Sequence, residues 1–180
     1  RLLVERHTKD GSGEPVGYKV SNAVKAEWAK AGIDSPGLGR MFHDKFYTSG
    51  ATLMFDEYSN PCVEVEIAVR MKSPLTGKVT TEETAAAIEC VFAAFEIVDF
   101  RTGGPVRKFA DVIADNAAFG AFVHSTEEFD ASPERMYHET VEIRRNGERL
   151  MVGSFSTVMD GAINSLIWLS EKLAELGEVL

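Results

Sequence analysis

The stretch NPCVEVEIAVRM, residues 60–71, alternates β-branched and charged side chains with a period of two. In an extended chain, side chains at i and i+2 share a face. Val63, Val65, Ile67, Val69 and Met71 therefore point one way, and Glu64, Glu66 and Arg70 the other. The segment reads as a strand, and its two neighbouring carboxylates repel. Water or a cation must relieve that repulsion. Alternation alone favours water, because antiparallel strands often have one solvated face.

A third carboxylate changes the balance. Glu96 lies in VFAAFEIVDF (91–100), flanked by large apolar residues, where an acid is costly unless paired or metal-bound. Glu64, Glu66 and Glu96 on neighbouring strands would suit a hard divalent cation such as Mg²⁺ or Mn²⁺. The set has no cysteine or histidine, which argues against zinc. On spacing alone, a metal site and a solvated acidic face both stay open. Lys19 in GYKV reads either as a surface lysine or as a cation facing a substrate carboxylate. Asp44 in FHDKF reads as a turn residue or an acid–base group, and His43 beside it is equally open. No phosphate-binding glycine loop and no nucleophile elbow occurs.

Around these residues the chain alternates strands with a few helices. The polar run 7–17 predicts a loop before the strand GYKV, and Ser21 or Asn22 a cap for a helix through Trp28 that stops at Gly32. MFHDKFY (41–47) is ambiguous between strand and irregular structure. Thr80 with Glu83 has capping-box spacing and predicts a helix over 81–92, followed by the strand FEIVDF. Residues 109–123 predict a short helix or turn leading into a strand at about 119–123. Asn146-Gly147 between two β-prone runs predicts a two-residue hairpin. An amphipathic helix over 160–176 carries Ile163, Leu166, Ile167 and Leu173 on one face, with Gly177 at its end. The class is α+β.

The 180 residues are long enough for one domain with a real core. A net charge of −9 disfavours nucleic acid and anionic lipid as partners. Two cysteines without paired spacing, Cys62 and Cys90, fit a reducing compartment. The longest apolar tract is broken by Glu89 and Glu96 and is too short to span a bilayer.

Taken in order, GYKV (17–20), MFHDKFY (41–47), PCVEVEIAV (61–69), FEIVDFR (95–101) and DVIADNAAFG (111–120) resemble one family. It is the 2-keto-4-pentenoate hydratase and 4-oxalocrotonate decarboxylase branch of the fumarylacetoacetate hydrolase superfamily. The resemblance implies a mixed β-roll with peripheral helices over 17–180, truncated at both ends and lacking its final strands, after a residual segment 1–16. It makes Glu64, Glu66 and Glu96 ligands of Mg²⁺ or Mn²⁺, and Lys19 and Asp44 catalytic. Lys19, Asp115 and Asn116 would bind the substrate.

The implied activity is a metal-dependent lyase of aromatic catabolism, hydrating a 2-hydroxy-2,4-dienoate. A decarboxylase of a 2-oxo-dienedioate and a non-catalytic partner subunit are the alternatives. The resemblance also implies a cytoplasmic homo-oligomer able to associate with a sibling hydratase or decarboxylase. The chain departs from the family pattern at SNA (21–23), Phe100 and MDGA (159–162).

Overall fold

The computed structural model describes residues 15–102 and 108–180. Residues 1–14 of the residual segment and the part of the expected 7–17 loop that falls among them lie outside the described residues, as do the glycines at 103 and 104, while residues 15–17 are strand. Two compact units divide the chain. The first takes its described residues from 15–22, 27–66, 93–102 and 108–126, and the second from 23–26, 67–92 and 127–180.

In the first unit, β1 (Pro15–Ser21) pairs antiparallel with β2 (Gly37–Phe42), which sets Lys19 opposite Gly39. The helix expected from Ser21 or Asn22 shrinks to a 3₁₀ turn at Lys25–Glu27 and α1 (Trp28–Ala31), because β1 continues through Ser21 and Asn22 turns the chain at φ 56°. The expected stop holds: Gly32 takes φ 67°, the left-handed conformation glycine adopts without a Cβ penalty. The ambiguous 41–47 stretch resolves into the end of β2, a 3₁₀ turn at His43–Lys45 and β3 (Phe46–Thr48).

The sheet that carries the acidic residues has the order β3-β6-β5-β4, with β4 at Pro61–Met71, β5 at Ile88–Asp99 and β6 at Phe119–His124. β3 runs parallel to β6, while β5 and β6 are antiparallel, with Glu96 opposite Phe122. The sheet is mixed, as the resemblance implies. α3 (Phe109–Ala114) and a tight turn at Asn116–Ala118 lead into β6, as expected. Phe42, Val98, Phe119 and Phe122 are buried, and Phe46 packs on Phe122 with ring centroids 4.9 Å apart and the rings tilted by 51°.

The second unit packs Ile88, Val91, Met136, Ala162 and Ile163 into one apolar cluster, with Ile67, Val69 and Met71 against it. α2 (Thr81–Ala87) starts at the predicted capping box: Thr80 accepts from Glu83 N, and Glu83 accepts from Thr80 N. It ends five residues sooner than predicted. Ile88 is already extended (φ −80°, ψ 133°) and opens a twelve-residue β5, so sheet pairing overrides the helix propensity of the preceding alanines. α4 (Arg135–His138) precedes the hairpin of β7 (Thr140–Arg145) and β8 (Glu148–Ser154), whose turn residues Asn146 and Gly147 have φ 53° and 85°. α5 (Ala162–Glu175) buries Ile163, Leu169 and Leu173 and is followed by Gly177 at φ 74°. No helix among the described residues is long and apolar enough to cross a membrane.

Candidate metal centre

Alternation along β4 and β5 decides which side chains meet. Glu64, Glu66 and Glu96 each bring a carboxylate oxygen to within 4.8 Å of the others. Glu96 is only 4% exposed, whereas Val63 and Phe95 on the opposite face are 60% and 43% exposed. At Glu96 the acidic side is therefore the interior one, whereas Glu66 is half-buried and Glu64 stays exposed.

Such a cluster is expensive. Burial raises the Glu66 carboxyl to about 8, helped by the charges of Glu96 and Glu64 and opposed by Lys19. Burial also raises Glu96, while Lys19 pulls it back. Glu64, at the exposed edge, completes the set.

The structure supplies one ammonium. Lys19 reaches from β1 to donate to Glu96 Oε1 and, at 2.9 Å, to the carbonyl oxygen of Ala117. Its side chain is 10% exposed, so the pair is well shielded from solvent. Three carboxylates against one ammonium leave an excess of negative charge. The donors are all hard oxygens, a set that fits Mg²⁺, Mn²⁺ or Ca²⁺ and not a thiophilic metal.

The remaining predicted residues fall into two groups. Asp115 and Asn116 lie next to the Lys19 contact, but both have structural partners. Asp115 accepts from Arg101 Nε at 3.1 Å. Asn116 accepts from Arg40 N at 2.8 Å and donates to Arg40 O at 2.7 Å, clasping β2. Asp44 lies exposed in the 3₁₀ turn between β2 and β3, outside the carboxylate cluster.

Three features escape the sequence reading. Asp99, buried at the end of β5, accepts from Ser59 N at 3.0 Å and Asn60 N at 2.7 Å, so it ties down the approach to β4. Its place at a strand end gives it the look of an ordinary turn residue. The Ala117 carbonyl is a backbone group with no side-chain signature. Gly39, opposite Lys19, has neighbours so close that a Cβ would lie 2.8 Å from Lys19 Cγ.

Searched against protein-family models, the chain matches none. Among characterised proteins it is 29% identical to 2-hydroxypent-2,4-dienoate hydratase of Pseudomonas putida over 97% of its length, spanning 79% of that relative. It is 30% identical to 4-oxalocrotonate decarboxylase of a Pseudomonas species over its whole length, spanning 69% of that protein. Among solved structures, 4-oxalocrotonate decarboxylase from Pseudomonas putida G7, complexed with magnesium and adipate, superposes with a TM-score of 0.90 at 26% identity. That match covers 99% of this chain and 68% of the other.

Proposed function

This chain belongs to the 2-keto-4-pentenoate hydratase and 4-oxalocrotonate decarboxylase branch of the fumarylacetoacetate hydrolase superfamily, and on that premise we propose that it is a divalent-metal-dependent lyase that hydrates a 2-hydroxy-2,4-dienoate in aromatic catabolism. The observation that carries the reading is the convergence of Glu64, Glu66 and Glu96 beside Lys19. A divalent ion, Mg²⁺ in the first instance, would be held by the three glutamates and would supply Lewis acidity toward the oxygens of a 2-oxo acid.

The chain's own groups do the rest. Lys19 has three N–H donors, of which Glu96 and the Ala117 carbonyl take two. The third is assigned to the substrate carboxylate, as a charge-assisted bond in a shielded site. Glu66, whose carboxyl is raised mainly by burial and further by the neighbouring carboxylates, would give up its proton to make way for a cation, whose positive charge favours the carboxylate form. Asp44, exposed on its turn, is the acid–base candidate that carries protons between solvent and the distal alkene carbon. Asp115 and Asn116 act by holding backbone in place. We further infer a cytoplasmic homo-oligomer that works beside a sibling enzyme; the free Cys62 and Cys90 support a reducing compartment.

Decarboxylation of an oxo-dienedioate is the second reading, favoured by the 0.90 TM-score to a decarboxylase that binds the dicarboxylate adipate. Incubating the protein and Mg²⁺ with a conjugated 2-hydroxy-dienoate and, separately, an oxo-dienedioate separates the two. Absorbance loss with water gained by the dienoate supports hydration, and CO₂ released from the dienedioate supports decarboxylation. If neither substrate turns over, the lyase assignment is wrong.

A further inference from the structure

Residues 116–118 adopt a backbone that their sequence resists. Asn116, Ala117 and Ala118 have φ of 55°, 53° and 56°. Asparagine enters the left-handed region with some ease, but alanine carries the full Cβ penalty. Such strain survives only where the surroundings over-determine it, and it collects at functional sites. Here the surroundings are specific. The Asn116 amide clasps both backbone groups of Arg40, Ala118 N donates to Asp115 O at 3.0 Å, and Arg101 holds the Asp115 carboxylate. Ala117 and Ala118 are 1% and 2% exposed.

The turn aims one atom at the candidate site, the Ala117 carbonyl oxygen that accepts from Lys19 Nζ. From the other side, Gly39 leaves the space in which the Lys19 stem lies. A Cβ there would come within 2.8 Å of Lys19 Cγ and 3.0 Å of both Ala117 Cβ and the Asn116 carbonyl oxygen.

Building on the metal-centre reading above, we propose that Asn116, with the left-handed turn it heads and Gly39 facing it, is a positioning device for Lys19, fixing the ammonium between the Ala117 carbonyl and Glu96. The Asn116 side chain is thereby assigned to Arg40 and not to substrate. The device has two consequences. It sets where the third Lys19 N–H points, and it keeps a positive charge against one of the three carboxylates, which lowers their affinity for a cation.

The test is a set of double-mutant cycles on Mn²⁺ affinity, measured by calorimetry, with turnover of a conjugated 2-hydroxy-dienoate followed alongside. Lys19→Ala should tighten Mn²⁺ binding about tenfold, since it removes a unit charge from beside a ligand oxygen. Asn116→Ala and Gly39→Ala should each tighten it about threefold or more, yet change it by less than about twofold in the Lys19→Ala background, the signature of one coupled unit. Asn116→Ala should also lower kcat/KM at least about tenfold through misplacement of Lys19.

The proposal is overturned if Asn116→Ala binds Mn²⁺ as the parent does, or if its effect carries undiminished into Lys19→Ala. Should Asn116→Ala fail to fold, Gly39→Ala, which removes no hydrogen-bonding group, decides by the same criteria. The underlying reading fails differently. A parent that binds Mn²⁺ but turns over no dienoate loses the lyase assignment while the cycles still judge the device. A parent without Mn²⁺ affinity loses the metal centre and the device together.

Discussion

Replacing Glu66 by glutamine should stabilise the metal-free protein at alkaline pH while removing its response to metal. The carboxyl titrates near 8 in the folded chain against an ordinary 4.5, a difference of about 3.5 units. Each unit is worth about 1.4 kcal/mol, so an ionised Glu66 costs the fold on the order of 5 kcal/mol. The folded-state pKa is the higher one, so between pH 4.5 and 8 the folded chain holds a proton that the unfolded chain has released. Stability therefore falls as pH rises through that window and levels off above it.

A glutamine amide cannot ionise, so the Glu66→Gln variant lacks this slope. Melting in EDTA by scanning calorimetry from pH 5 to 9 should show the variant gaining on the parent as pH rises. By pH 9 it should lead by on the order of 10 °C, given about 2–4 °C per kcal/mol at this chain length. Saturating Mg²⁺ should raise the melting temperature of the parent and hardly move the variant. A variant no more stable than the parent at pH 9 in EDTA would mean that Glu66 is solvated and the cluster is an accident of alternation.

Glu64→Gln and Glu96→Gln should likewise abolish the Mg²⁺- or Mn²⁺-induced stabilisation, which for the parent is about 2.7 kcal/mol at a hundredfold excess of metal over Kd. Metal binding should also release protons. With Glu66 titrating near 8, about 0.9 proton per ion should leave at pH 7, and the release should vanish above pH 9, as read by calorimetry in buffers of differing ionisation enthalpy. Asp99→Asn should cost about 2 kcal/mol in denaturant unfolding, because the Ser59 and Asn60 amides lose a charged acceptor. The same variant should weaken metal binding if the end of β4 shifts with that loop.

The strand that carries the chemistry is plain in the sequence because two-residue alternation and carboxylate cost are both local signals. Periodicity puts Glu64 and Glu66 on one face of the strand, and the family resemblance adds the metal-ligand role. Glu96 follows from the expense of an acid among phenylalanine and valine, and the structure does bury it. The Asn146-Gly147 hairpin and the Thr80 capping box are equally legible, since each is decided by a few neighbouring residues.

What cannot be read is what tertiary contacts decide. Residues 88–92 follow an alanine-rich helix yet open β5, which β4 and β6 flank in the sheet, and Val91 bridges to the distant Phe129. The left-handed turn falls on two alanines, whose own preference runs the other way, and is imposed through Asn116 and Arg40, 76 residues apart in sequence. Asp115 and Asn116 stand out in the sequence through the DVIADNAAFG run, where the resemblance implies substrate binding. Their protein partners become visible once Arg40 and Arg101 are placed beside them.

The charge count explains why a single lysine serves this cluster. With all three glutamates ionised, the group carries −3, and Lys19 brings it to −2. An arginine fork on each glutamate would have neutralised the set permanently, and a buried ion pair with satisfied geometry gives up its partner reluctantly. One ammonium leaves a deficit that matches a divalent ion, while the proton on Glu66 bridges part of the gap when no ion is bound. The fold tolerates the arrangement because the three acids lie on two adjacent strands whose backbone groups are paired in the ladder, so the unfavourable terms are confined to side chains. Strain in the backbone is placed one layer away, at Asn116–Ala118, where it fixes the one group that must not wander. Neutralising Glu66 should therefore favour cation-free stability, and loosening that turn should favour cation affinity, each at the expense of a site balanced between them.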